Sequence, residues 1–446
     1  MVHEWTQRHL CDVADVIISN VDKKTKDDES PVRLCNYTDV YYNQFIRRGM
    51  EFMSATAKDR EIAKCALSKG DVVITKDSEV SDDIGVPAYI RDDIEGLVCG
   101  YHLVILRPRT TVIDGAFLFY ALNASDAQVQ FHAKANGITR FGLRKNDIET
   151  INVPIPPLHV QHRIADILGS LDDKIDLNRQ MNQTLEATAR ALFKSWFIDF
   201  DPVRRSPRAK APDPIADLFP RQLQDSPLGP IPKGWKVERF GDHLCADRGL
   251  SYKGSGLRDD GSGLPMHNLN SIYEGGGYKH EGIKYYAGEY REKHLLHPGD
   301  LIVTNTEQGF DHLLIGYSAI VPPRFGPRGL FSHHIYRVRP KPSSPLTPHY
   351  LTHLFNNPRW HYWISGFSNG TTINMLPLDA LEMPLLVVPP AELVRRFTSL
   401  VIAVHEQVEV NISESNDLAA TRDALLPKLM SAQLPMAIEH TLAEAP

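Results

Sequence analysis

The side chains of this chain best suited to chemistry lie in loops that come in pairs. After the apolar run KGDVVIT comes Thr75-Lys76-Asp77-Ser78, and after PGDLIVT comes Thr304-Asn305-Thr306-Glu307-Gln308. A second pair reads Asn136-Gly137-Ile138-Thr139-Arg140 and Asn369-Gly370-Thr371-Thr372-Ile373-Asn374. Amides, hydroxyls, lysine and arginine carried at the ends of strands are the groups that hydrogen-bond the polar edges of bases and the oxygens of phosphates. The candidate contacts are therefore Thr75, Lys76, Asp77, Ser78, Asn136, Thr139 and Arg140 in the first half, and Asn305, Thr306, Gln308, Asn369, Thr371, Thr372 and Asn374 in the second. Arg47 and Arg48, beside Tyr41 and Tyr42, add a basic cluster able to hold phosphate, and Arg337, Arg339 and Lys341 form a basic strand end. Core packing is the expectation for the two tyrosines, because large aromatic rings serve burial first. Polar loop residues of this kind also form turns for their own sake, and glycine lets the second loop bend.

The catalytic alternatives lack their signatures. Residues 254–263, GSGLRDDGSG, are glycine-rich but have neither an apolar strand before them nor a helix after them, so they read as a flexible loop and not as a phosphate cradle. His333, His334 and His353 lack metal-ligand spacing. Cys11, Cys35, Cys65, Cys99 and Cys245 form no C-x-x-C pair and are odd in number, which favours a reducing cytoplasm over a disulfide framework. No catalytic residue and no metal site are expected. The opening MVHEWTQRHL has no apolar core of signal-peptide length, and no window resembles a membrane span, so a cytoplasmic protein is expected. A net charge of −6 argues against non-specific coating of nucleic acid while leaving room for local basic patches.

What must position the loops is a repeat. Residues 136–157, NGITRFGLRKNDIETINVPIPP, match residues 369–390, NGTTINMLPLDALEMPLLVVPP, at an offset of 369 − 136 = 233. The register continues downstream without insertion, pairing Asn178 with Asn411, Leu185 with Leu418 and Leu192 with Leu425. The chain of 446 residues thus reads as α+β: two tandem mixed α/β domains, each followed by a long helix. The boundaries are a first domain at 1–155, a central helix at 156–200, a linker at 201–225, a second domain at 226–388, a C-terminal helix at 389–434 and a tail at 435–446. The linker, proline-rich and partly basic through Arg204, Arg205, Arg208 and Lys210, is expected to be a solvated tether that sustains neither helix nor strand ladder.

Both helices carry a heptad seam. In the first it runs through Ile164, Leu168, Leu171, Ile175, Asn178, Asn182, Leu185, Ala189, Leu192 and Trp196; in the second through Phe397, Val401, Val404, Val408, Asn411, Ser415, Leu418, Arg422, Leu425 and Leu429. Two such stripes in one chain should bury each other as an antiparallel coiled coil with Asn178 and Asn411 at mid-seam, where a buried amide gives up stability for register. Prolines 154, 156 and 157 cannot donate backbone hydrogen bonds, so an edge-type strand should stop abruptly and pass into the helix, with Pro157 in its first turn and the same joint repeated at Pro389 and Pro390. Phe193, Trp196, Phe197 and Phe200 at the end of the first helix either cap the core or form an exposed partner surface; the expectation taken forward is the partner surface.

In this arrangement IPPLHVQHRIADILGSLDDKIDLNRQMN, ALFKSWFIDFDPV, PLGPIPKGWKVERFGD and the terminal LLPKLMSAQL resemble the DNA-specificity subunits of type I restriction-modification systems, over essentially the whole chain. The first copy departs from the pattern by keeping only Trp5 of the Pro-x-Gly-Trp segment, and the last helix ends MSAQL where Ser-Gly is common. The resemblance implies a non-catalytic subunit whose two target-recognition domains each read half of a split, asymmetric sequence in double-stranded DNA, with the helices as spacers that fix the gap. It further implies two adenine-methyltransferase subunits docked on this chain and motor-nuclease subunits beyond them, with S-adenosylmethionine, ATP and Mg2+ on those partners and no cofactor here. A coiled-coil scaffold with protein-binding heads, and a self-contained methyltransferase or nuclease, are the competing readings.

Overall fold

The structure, a computed structural model, describes residues 5–204, 215–309, 311–370 and 373–433. Arg205, Arg208 and Lys210 of the linker, Thr371, Thr372 and the tail at 435–446 lie outside the described residues. Two compact units share the chain, residues 1–177 with 414–446, and residues 178–413.

The first unit is built on a five-stranded sheet in the order Ala14–Ile18, Leu103–Pro108, Val72–Thr75, Pro87–Ile90 and Phe45–Ile46, antiparallel except for its last pair. The unbroken apolar run VVIT is explained by burial on both faces. Val72 and Ile74 enter one core with Phe117 and Leu118 of the helix Gly115–Asn123, while Val73 enters another with Leu34 and Val98 of a three-stranded sheet.

The second unit repeats the plan. Leu244–Arg248, Ile335–Pro340, Leu301–Thr304 and Ser318–Ile320 lie side by side in the corresponding order, and Leu301 and Val303 face one core while Ile302 faces another. The helices Pro348–Phe355 and Pro358–Ser365 begin 348 − 115 = 233 and 358 − 125 = 233 residues after Gly115–Asn123 and Ser125–Lys134. Each unit closes with a two-stranded ribbon, Thr6–His9 with Asn152–Ile155 and Lys236–Arg239 with Leu385–Val388, so Pro154 occupies a strand with a single partner while Pro156, Pro157, Pro389 and Pro390 follow the strand ends.

From these ribbons run two long helices, α1 at Leu158–Phe193 and α2 at Ala391–Met430. Pro157 and Pro390 stand just outside and not in the first turn as expected: the Pro157 carbonyl accepts from the amides of Val160 and Gln161, and the Pro390 carbonyl from those of Leu393 and Val394. A proline suits this place because its fixed φ aims the chain and its missing N–H leaves no orphan donor.

The heptad reading holds within each unit. In the first, Ile164, Leu168, Ile175 and Leu429 are buried and Leu171, Leu418 and Leu425 half-buried. In the second, Asn178, Val401, Val408 and Asn411 are buried and Leu185, Leu192 and Val404 half-buried. The pairing is antiparallel in both. Lys174 pairs with Glu414 at 3.1 Å in the first unit. In the second, Asn178 Nδ2 donates to the Asn411 carbonyl at 3.3 Å, Asn411 Nδ2 donates to Asn182 Oδ1 at 2.7 Å, and fifteen residues further along α1 Phe193 meets Phe397 with ring centroids 5.5 Å apart.

Two expectations are corrected. Phe193, Trp196, Phe197 and Phe200 are not a partner surface: all are buried in the core of the second unit, against Phe219, Trp235, Tyr350 and Phe397. Lys194–Ile198 forms a π-helical turn that widens the end of α1, and Phe200 follows with φ +55°, ending the run. The described part of the linker is not a tether either. Asp201–Arg204 is a short helix, Leu223–Gln224 pairs with Ile231–Pro232, and Phe219 is buried beside Trp196, because an aromatic ring among the prolines supplies a reason to dock.

His353 lies on Phe193, rings 5.7 Å apart, and His349 faces His405 of α2 at 5.4 Å. Burial pushes His353 down to about 3, helped by the positive charge of His405, Arg190 and His349; burial, then His349, brings His405 to about 4. An imidazole of ordinary value 6.5 in the unfolded chain but about 3 in the fold takes up its proton only on unfolding between those values. Stability of the second unit should therefore fall as pH drops below about 6.5, by about 2 kcal/mol at pH 5 for His353 alone. Chemical denaturation at pH 7 and pH 5 measures it, and His353→Phe should remove much of the difference.

Candidate nucleic-acid interface

In each unit the two candidate loops become one structure. Asp77–Ser78 pairs with Phe141–Gly142, and Thr306–Gln308 pairs with Ile373–Met375. The Asn136–Gly142 and Asn369–Met375 bridges, 233 residues apart at both ends, pinch off the tips. Glycine is required there by close approach: a Cβ on Gly137 would fall on the Arg140 carbonyl oxygen, and one on Gly370 on that of Ile373. The result is a short ribbon beyond the end of the central strand, with Thr139 and Arg140 exposed in the first unit and Gln308, Asn369 and Ile373 exposed in the second.

Several expected contacts are used inside the fold instead. Thr75 is buried, its hydroxyl accepting from the Val86 amide at 3.0 Å, and buried Ser78 accepts from Val80 at 3.3 Å. Asn305 is buried and donates to the His333 carbonyl at 3.1 Å, Thr306 is buried against His334, and buried Asn374 donates to the Gly309 carbonyl. A short polar side chain at a ribbon root meets backbone groups before it meets solvent. Glu307 shapes the tip from within, accepting from the amides of Leu313 at 2.7 Å and Ile315 at 3.1 Å. Asn136 is exposed but turns back to the Lys134 carbonyl at 2.7 Å.

The basic clusters separate similarly. Arg47 pairs with Asp176 of α1, and Arg91 with Asp173, the two guanidinium groups lying 5.2 and 4.0 Å from the ring of Phe45, so Arg47 fastens the first domain to its helix and is not presented for phosphate. Arg48 is exposed. Arg337 is 6% exposed and held by Asp247 at 2.8 Å, with Arg339 at 2.7 Å from the same carboxylate, and Lys341 reaches the Gly241 carbonyl. Tyr42 is 75% exposed, against the expectation of core packing, while Tyr41 donates to Asp83 at 2.7 Å, a bond that chiefly pushes its phenol up to about 12.

The first tip sets charged and polar groups around the exposed Ile138. Lys76 Nζ lies 3.3 Å from Asp77 Oδ2 and 4.7 Å from the centre of the exposed Tyr101 ring. Tyr101 and His102 escaped the sequence reading; the signal that would have found them is the match of LVILRP to IYRVRP, offset by 335 − 103 = 232. Among the described residues no group of three or more histidines, cysteines and carboxylates is arranged to hold a metal ion, and no helix is long and apolar enough to cross a membrane.

A family model described as the type I restriction modification DNA specificity domain matches residues 3–187. The HindI specificity subunit of Haemophilus influenzae is 23% identical, with 97% of this chain and all of that protein covered. The MjaIX specificity subunit of Methanocaldococcus jannaschii is 24% identical, over 91% of this chain and 86% of that one. These matches support a type I DNA-specificity subunit. The fold agrees: the crystal structure of the type I restriction-modification S subunit from M. genitalium superposes with a TM-score of 0.54 at 14% identity, covering 95% of this chain and 96% of that one. This chain repeats one ribbon twice and changes its tip.

Proposed function

We propose that the chain is the non-catalytic subunit that reads a split, asymmetric target in double-stranded DNA, one half with each ribbon-bearing domain, and that docks two methyltransferase subunits and motor-nuclease subunits in the cytoplasm of a prokaryote. Methyl transfer with S-adenosylmethionine and ATP- and Mg2+-dependent cleavage belong to those partners in this reading. The observation that carries it is the pair of ribbons: one scaffold presents exposed Thr139 and Arg140, with Lys76 and Asp77 at its root, and the other presents exposed Gln308, Asn369 and Ile373. A common scaffold with different hydrogen-bonding groups at its tips is what two unlike half-sites require.

The helices set the gap. At 1.5 Å per residue, α1 of 36 residues and α2 of 40 are about 54 and 60 Å long, longer than the roughly 34 to 36 Å turn of B-DNA. Methylation-sensitive sequencing of host DNA should show a split, adenine-modified motif. Exchanging residues 1–155 for another such domain should rewrite one half only, whereas inserting one heptad into both helices should change the tolerated gap and leave the letters alone. Change in both halves after the single exchange would refute independent reading.

A further inference from the structure

Each ribbon is gripped by a histidine that no sequence motif marks. His102 directly precedes the strand Leu103–Pro108, and its carbonyl accepts from the Lys76 amide at 3.0 Å. His334 directly precedes Ile335–Pro340, and its carbonyl accepts from the Asn305 amide at 3.1 Å. The side chains repeat the correspondence. His102 Nδ1 lies 2.8 Å from Asp77 Oδ2, and His334 Nδ1 lies 2.9 Å from Thr306 Oγ1; Asp77 and Thr306 are each the residue after the one whose amide the histidine holds. Two domains that differ in their tips thus keep one ring in one place through the same ring nitrogen, and vary the partner that aims it.

In both rings Nδ1 is committed to the ribbon, which leaves Nε2 on the opposite side of the imidazole for another partner. Neither ring is closed off, both being half-buried, and Tyr101 stands edge-on to His102 with centroids 4.8 Å apart. A half-buried ring with one nitrogen anchored has little rotational freedom to lose on binding, the condition under which a single hydrogen bond discriminates well.

Resting on the reading of the ribbons as the DNA-facing elements, we propose that Nε2 of His102 and of His334 each contacts a base edge, so that these two histidines, with Asp77 and Thr306 as the residues that aim them, are specificity-determining positions of the two half-sites. Because an acidic partner holds one ring and a hydroxyl the other, the same scaffold position reads different letters in the two halves.

The test is methylation-sensitive sequencing of host strains carrying the full chain as wild type, His102→Ala, Asp77→Asn or His334→Ala. His102→Ala should relax one letter of one half-site, lowering its selectivity about tenfold, with the other half and the gap unchanged; Asp77→Asn should alter the same letter, and His334→Ala a single letter of the opposite half. An unchanged motif, or uniformly weaker modification with every letter retained, overturns the inference, the second assigning a phosphate contact. Loss of all modification in both His102→Ala and the milder Asp77→Asn assigns a structural role and also overturns it. A wild-type strain with no split motif overturns the DNA reading itself, a distinguishable failure.

Discussion

Replacing Asp172 by alanine is expected to cost the first unit about 3 to 5 kcal/mol, because it strands a buried charge pair. Asp172 is 4% exposed, and its two oxygens serve different elements. Oδ2 accepts from the Tyr120 phenol at 2.6 Å, and Oδ1 accepts from Arg422 Nη1 at 2.6 Å. One side chain of α1 thereby joins the helix Gly115–Asn123 to α2 at the seam position that Arg422 occupies. Burial, then the charge and hydrogen bond of Asp172, push the Tyr120 phenol well above its ordinary value, so it remains a donor at any working pH. Without the carboxylate, Arg422 keeps Asp423 and Gln44, which places the loss toward the lower end of the range. Hydrogen exchange of amides in residues 5–177, with chemical denaturation, measures the effect, and a loss below about 1 kcal/mol would contradict the role given to the pair.

The second large effect is expected from Phe193→Ala and Trp196→Ala, at about 3 to 5 kcal/mol each in the isolated chain. Phe193 is 1% exposed and touches Phe197, Tyr350, His353 and Phe397, while Trp196 bridges Phe219 and Phe397. A surface for partner chains would behave otherwise, leaving the free chain as stable as before and weakening only assembly. Thermal unfolding of the purified chain separates the two: a shift of about 6 °C or more for either substitution follows from loss of core volume, and an unchanged midpoint would restore the docking reading.

Much of the architecture was legible in residue order. The repeat at 233, the position of both helices and the antiparallel sense of their pairing follow from short-range rules: heptad spacing names the buried stripe, proline ends the strand, and two matching stripes in one chain have each other as the nearest cover. That Asn178 meets Asn411 was readable because both interrupt their seams at the same heptad position. The loops were readable as places, since strand-end polar residues recur at the same point of each copy.

What each loop residue does depended on the tertiary structure. Thr75, Ser78, Asn305, Thr306 and Asn374 have the chemistry to contact a ligand, yet all are buried, with Thr306 turned to His334 and Asn374 to the Gly309 carbonyl. Composition cannot separate a hydroxyl that faces solvent from one that meets a strand arriving from far along the chain. The same holds for Arg47, whose partner Asp176 lies 129 residues away by 176 − 47, and for the aromatics after Leu192, which find Phe219 within the linker and Trp235 beyond it. Periodicity reports which face of an element is covered; only the fold decides what covers it, because that choice rests on contacts between segments with no pattern in common.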